Sequence, residues 1–78
     1  MSYFVKMPII ERIKDDVSLR LNIAVALGIM ERAVYNHVLK YKKEPFPNSN
    51  FTKAAVVKYL ISEGYTEDEI LTKEQPAK

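Results

Sequence analysis

Gly28 stands between two runs of helical periodicity, with only Ile29 and Met30 separating it from the second run, and this narrows the possible fold more than any other feature. Before it, Leu19, Ile23 and Leu27 recur at i, i+4 and i+8 with Ala24 beside them, the spacing of one buried helix face. A glycine just past the last periodic residue lets the chain leave a helix through a positive φ that a side chain would strain. After Met30 the period restarts with Ala33, Val34 and Val38 turned inward, which predicts a helix over 31–41. Two helices joined by so short a turn must cross closely. Ala24, four residues before Gly28, is small enough to permit it.

The flanking segments read as further short elements. Pro8 suits a first helical position, and Ile9, Ile10, Ile13 and Val17 follow near helical spacing, so a helix is expected over 8–15. Asp15 and Asp16 are poorly placed at the negative end of a helix dipole, and Ser18 is a good N-cap for a helix starting at Leu19. Residues 2–7 suit a brief strand or an arm that packs on a partner. The prolines of Glu44-Pro-Phe-Pro-Asn-Ser-Asn50 stop the helix and predict an ordered loop with Phe46 as its anchor. Asn50 or Thr52 is placed to cap a helix over 53–63, with Val56, Val57, Leu60 and Ile61 on its apolar side and Gly64 ending it; the branched pair Val56-Val57 also permits a strand. Thr66-Glu-Asp-Glu69 matches a capping box and predicts a short last helix, after which 72–78 are expected to fray. The expected fold class is therefore all-α: one domain over 1–78 of four to five short helices, with or without an N-terminal strand or arm. Its helix-turn-helix covers 19–41 and its helical C-terminal part 52–71.

Seventy-eight residues allow one core, and the absence of cysteine removes both disulfides and thiolate metal sites as supports. The interior or a partner subunit must supply the stability, and a homodimer is expected. No apolar run nears the roughly 20 residues of a membrane span, and no signal peptide opens the chain, which points to the cytoplasm. One histidine, no cysteine and no glycine-rich phosphate loop leave nothing to assemble a catalytic centre, and no metal, cofactor or small-molecule substrate is expected. The acidic run Glu67-Asp68-Glu69 is explained by its place in a helix's first turn, His37 by half-buried packing or a phosphate-facing position, and Met1, Met7 and Met30 form no spaced set. Charge is polarised along the chain. Residues 1–58 hold ten Lys or Arg against five Asp or Glu, whereas 59–78 hold two against five.

The stretch Ile23-Ala-Val-Ala-Leu-Gly-Ile-Met-Glu-Arg-Ala-Val-Tyr-Asn-His-Val38 resembles the helix-turn-helix of the phage Cro and repressor family over residues 20–41. It departs from the family at Met30 and Glu31, where a polar residue usually caps the second helix and reaches DNA. The resemblance implies a transcriptional regulator that binds double-stranded DNA as a symmetric dimer, with helix 31–41 in the major groove. Glu31, Arg32, Tyr35, Asn36 and Leu39 would then face base edges. Arg32 can fork onto guanine, Asn36 pairs with adenine, Glu31 accepts from a cytosine amine, and Tyr35 reaches a phosphate or a thymine methyl. Arg20, Asn22, Lys40, Lys42 and Lys43 would hold the phosphate backbone.

Other readings share the same residues. An alanine-glycine-branched pattern also occurs in helical bundles that bind no DNA, and Lys40, Lys42 and Lys43 also suit a solvated helix end. An excisionase, partition or replication accessory would use the same helix on DNA. A protein-interaction module would use Tyr35 and Leu39 as apolar anchors. A DNA face joins Arg20, Arg32, Lys40, Lys42 and Lys43 into one positive surface; a protein-binding face exposes apolar area interrupted by Glu31.

Overall fold

The structure is a computed structural model and describes residues 2–76. Five helices run in order: α1 (Met7–Asp15), α2 (Val17–Leu27), α3 (Glu31–Lys43), α4 (Ala54–Ser62) and α5 (Glu67–Ile70). A two-stranded antiparallel sheet, β1 (Phe4–Val5) with β2 (Leu71–Thr72), ties the two ends together, Phe4 opposite Thr72 and Val5 opposite Leu71. The predicted all-α class is what the chain adopts. Of the two readings left open for residues 2–7, the strand is the one formed. Thr72, expected to fray, is held in it; Ala77 and Lys78, and Met1, lie outside the described residues.

Helix boundaries follow local chemistry: α3 runs two residues past the expected end, to Lys43, α1 opens at Met7 with Pro8 second, and α2 starts early. Asp16, not Ser18, caps α2: its Oδ1 accepts from the Leu19 N–H at 3.1 Å, so the helix begins two residues earlier than expected. Sequence reading treated Asp16 only as an unfavourable residue at the end of α1, whereas it serves as the start of α2. At the other end of α2, Gly28 takes φ 69°, and the Ile29 N–H reaches the Ala24 carbonyl at 3.0 Å while the Gly28 N–H reaches that of Val25 at 3.1 Å. This paired closure satisfies two orphan carbonyls and turns the chain sharply into α3. Gly64, at φ 106°, ends α4 with the same pair of bonds. Between α3 and α4 a 3₁₀ turn, Asn50–Thr52, intervenes, and neither Asn50 nor Thr52 caps α4. The Thr52 hydroxyl instead donates to the Ser49 carbonyl at 2.7 Å. Val56 and Val57 lie in α4, not in a strand, because both are buried against the same core. Thr66 and Glu69 complete the expected capping box.

One hydrophobic cluster joins all the elements: Ile10 and Ile13 from α1, Ile23 and Ala24 from α2, Val34, Val38 and Tyr41 from α3, Val56 and Leu60 from α4, and Ile70 from α5. The loop anchor is Phe51, fully buried, and not Phe46, whose ring is partly exposed and tilts against Tyr41 with centroids 5.6 Å apart. Tyr41 is fully buried with its hydroxyl paired. Its hydroxyl donates to the Val5 carbonyl at 2.8 Å and accepts from the Val5 N–H at 2.9 Å, pairing both backbone groups of a buried strand residue.

Burial raises the Tyr41 phenol above its ordinary pKa of 10.0, against a smaller lowering by the bond to Val5. A folded value above the unfolded one means that the neutral phenol's contribution is intact below pH 10 and lost as pH rises through the folded value. In an alkaline titration, ionisation of Tyr41 should therefore coincide with loss of helical circular dichroism. Complete tyrosinate absorbance with the helical signal unchanged would contradict this.

Candidate functional site

The crossing of α2 and α3 builds the candidate surface. Ala24 is buried at the crossing, Leu27 and Ile29 pack against the core on either side of Gly28, and Val34 and Val38 turn inward. These inward residues leave Arg32, Asn36 and Leu39 exposed along one side of α3, with Lys40 and Lys43 exposed beyond them. Arg32 and Asn36 are one helical turn apart, so their side chains project together. Tyr35 is half-buried at the edge of this row.

Four of the expected contact residues, Arg20, Glu31, Asn22 and Lys42, hold partners within the fold. Arg20 was expected on the phosphate backbone, but its side chain is only 10% exposed. Its Nε donates to Glu31 Oε1 at 3.0 Å, and its Nη1 donates to the carbonyls of Ile13, at 3.3 Å, and Lys14. Its guanidinium carbon also lies 5.2 Å from the centroid of the Tyr35 ring. Glu31, 31% exposed, therefore accepts from Arg20 and is not a free acceptor for a cytosine amine. The reason is positional: Arg20 projects from the side of α2 that meets the end of α1 and the start of α3, where a long donor can reach both.

The remaining cations differ in freedom. Lys42 pairs with Glu11 of α1, and that bond holds the Glu11 carboxyl below its usual range and the Lys42 ammonium above its own. Both are fully charged at neutral pH, so a phosphate would have to draw Lys42 from Glu11. Lys40 lies over the Phe46 ring, 5.8 Å from its centroid, and Lys43 is exposed. Asn22 donates to the Tyr59 hydroxyl at 2.9 Å, across to α4. The positive surface expected from five cations thus reduces to Arg32, Lys40 and Lys43, with Lys42 in reserve.

Sequence reasoning missed what the 44–50 loop does beside α3. Two hollows flank Lys40 and Phe46, which line both. The larger, about 520 Å³, is walled by Phe4, Pro45, Phe46 and Pro47 with Lys43 and Glu44 at its edge. The smaller, about 240 Å³, is lined by His37, Asn48, Ser49 and Asn50 over Phe51. His37, half-buried, places its Nδ1 3.2 Å from Asn50 Nδ2. The available signal was an aromatic between two prolines followed by three small polar side chains. Among the described residues there is no group of three or more His, Cys, Asp or Glu placed to hold a metal, and no helix long and apolar enough to cross a membrane. No protein-family model, curated protein or solved structure matches the chain.

Proposed function

We propose that this chain is a sequence-specific double-stranded DNA-binding protein, a transcriptional regulator of phage or mobile-element type acting in the cytoplasm, which reads the major groove with α3. The observation that carries the reading is the tight α2–Gly28–α3 crossing, which leaves Arg32 and Asn36 side by side on an exposed helix face with lysines at its end. Arg32 supplies a guanine fork, Asn36 an adenine pair, and Lys40, Lys42 and Lys43 the phosphate contacts. Lys40 and Lys43 alone give a log K against log salt slope of about −2 for one protomer and about −4 for two, and each Lys42 drawn from Glu11 adds about −1. Fluorescence anisotropy with duplexes over a salt series tests it. Binding that is absent or indifferent to salt rejects it.

The dimer surface we assign is the outer face of α2. Val17, Leu21 and Val25, at i, i+4 and i+8, are 55%, 50% and 81% exposed. The one charged residue of this helix, Arg20, is turned inward, so two copies of the face meet without like-charge repulsion. The stripe offers on the order of 300–400 Å² of apolar surface, the size of the largest patch on typical monomers. Two copies would bury roughly 700 Å² in all, below the ~1,200 Å² of a standard stable interface. A weak dimer follows, consolidated when both subunits sit on half-sites about 34 Å apart. Leu21→Glu should abolish cooperative DNA binding while leaving the fold intact; unchanged cooperativity excludes this face.

A protein-interaction role draws on the exposed Met30 and Leu39 beside the same helix. Its mark is an α3 face that binds a protein partner through apolar contacts and no duplex.

A further inference from the structure

We propose that the loop following α3 forms a binding site for a small phosphorylated aromatic molecule, with the phosphate in the hollow at Asn48–Asn50 and the planar body against Phe46. This does not rest on the DNA reading: the site lies off the Arg32–Asn36 row and shares with the proposed DNA surface only Lys40.

Beside the Phe46 and Phe51 rings, the wall of the smaller hollow carries four donor-bearing side chains, Lys40, Asn48, Ser49 and Asn50. Asn48 Oδ1 accepts from the Tyr3 N–H at 3.4 Å, which leaves the Asn48 amide nitrogen to donate. Asn50 directs its amide nitrogen at His37 Nδ1 and keeps a second amide hydrogen. Lys40 adds an ammonium from α3. Ser49 is 4% exposed, and its Oγ is buried with no hydrogen-bond partner. A buried hydroxyl left unpaired costs about 1–3 kcal/mol, so an acceptor that reaches it recovers that penalty. No carboxylate lines this hollow.

Four donor-bearing side chains around one space suit a tetrahedral group with three acceptor oxygens and close to two negative charges better than a single carboxylate. At about 240 Å³ the hollow exceeds the ~30 Å³ share of one water severalfold, enough for a phosphate and its ester oxygen. Next to it, the 520 Å³ hollow presents Phe4, Pro45, Phe46 and Pro47 to a flat apolar body, within the size range of ligand pockets. Phe46 and Lys40 belong to both walls, so a ligand joining a ring to a phosphate spans them.

The test is an amide-resonance titration of the full chain with adenosine 5′-monophosphate, inorganic phosphate and adenosine as separate probes. The monophosphate should give saturable shifts at 37, 40, 46 and 48–50. Inorganic phosphate should move 48–50 more weakly, and adenosine should move Phe46 and its neighbours alone. Ser49→Ala, which removes an unpaired hydroxyl and leaves the fold intact, and Lys40→Gln should each weaken the monophosphate by about tenfold. Equal affinity in both variants, shifts spread over all lysines alike, or no saturation overturns the proposal. So does a duplex that moves 48–50 when the monophosphate does not, since that assigns the hollow to a DNA backbone phosphate.

Discussion

Arg20→Ala should destabilise the protein by about 2–4 kcal/mol, a large part of the 5–15 kcal/mol that holds a domain folded. One guanidinium fastens three helices: it caps carbonyls in the last turn of α1, pairs with Glu31 in the first turn of α3, and lies against Tyr35 one turn further along. Removing it leaves two carbonyls without their donor and a half-buried carboxylate without its counter-charge. Glu31→Gln keeps an acceptor for Arg20 and should cost only about 1 kcal/mol. Glu31→Ala on the Arg20→Ala background should add little, because the interaction is already gone. Urea unfolding monitored by circular dichroism measures each value. A loss below about 0.5 kcal/mol for Arg20→Ala would mean that the network contributes no more than an exposed ion pair. The same variant separates structural from DNA-contacting roles. If Arg20 holds only the protein, the folded variant keeps the parent's salt slope; if it touches a phosphate, the slope shrinks by about 1.

Local signals in the sequence located the helices because each has a short-range cause. Gly28 ends α2 through its own φ, Pro8 stands second in α1, and Thr66 with Glu69 caps α5, all within four residues of the position they control. Asp16 went unread as a cap because the same residue ends one helix and starts the next, and only the backbone angle, φ −116° and ψ 104°, decides between them. What spans the chain was not legible. The pairing of Val5 with Leu71 and the grip of Tyr41 on Val5 depend on contacts 36 to 66 residues apart, for which two-residue strands carry no periodic pattern. The candidate site divides in the same way. The outward row on α3 follows from its own period, whereas the fate of Arg20 and Glu31 depends on where α1 ends relative to α3. An arginine on a mostly apolar helix looks like a free cation until the neighbouring carbonyls are in place. The buried face of α2, Leu19, Ile23 and Ala24, follows from its period, but the outer stripe Val17, Leu21 and Val25 was hidden because Val17 fits the period of α1 as well and the helix is also apolar on its outer side.

Arg32→Ala and Asn36→Ala should each remove about 1–3 kcal/mol of discrimination between the preferred site and random duplex, because a bidentate contact to one base is lost while phosphate contacts stay. Lys43→Ala should do the reverse, weakening all sequences alike and lowering the salt slope by about 1. The contrast follows from position. Arg32 and Asn36 lie on the exposed row beyond the buried Val34 and Val38, rigidly placed by the helix, while Lys43 ends the helix where a long flexible side chain follows any backbone. Selection of bound fragments from random duplexes first defines the site. Competition of each variant against the selected and a scrambled duplex then gives the ratio, which should fall at least about fivefold for either groove residue and stay constant for Lys43→Ala. If Arg32→Ala and Asn36→Ala instead lose the same factor on both duplexes, α3 contacts only backbone, and base reading does not belong to this helix.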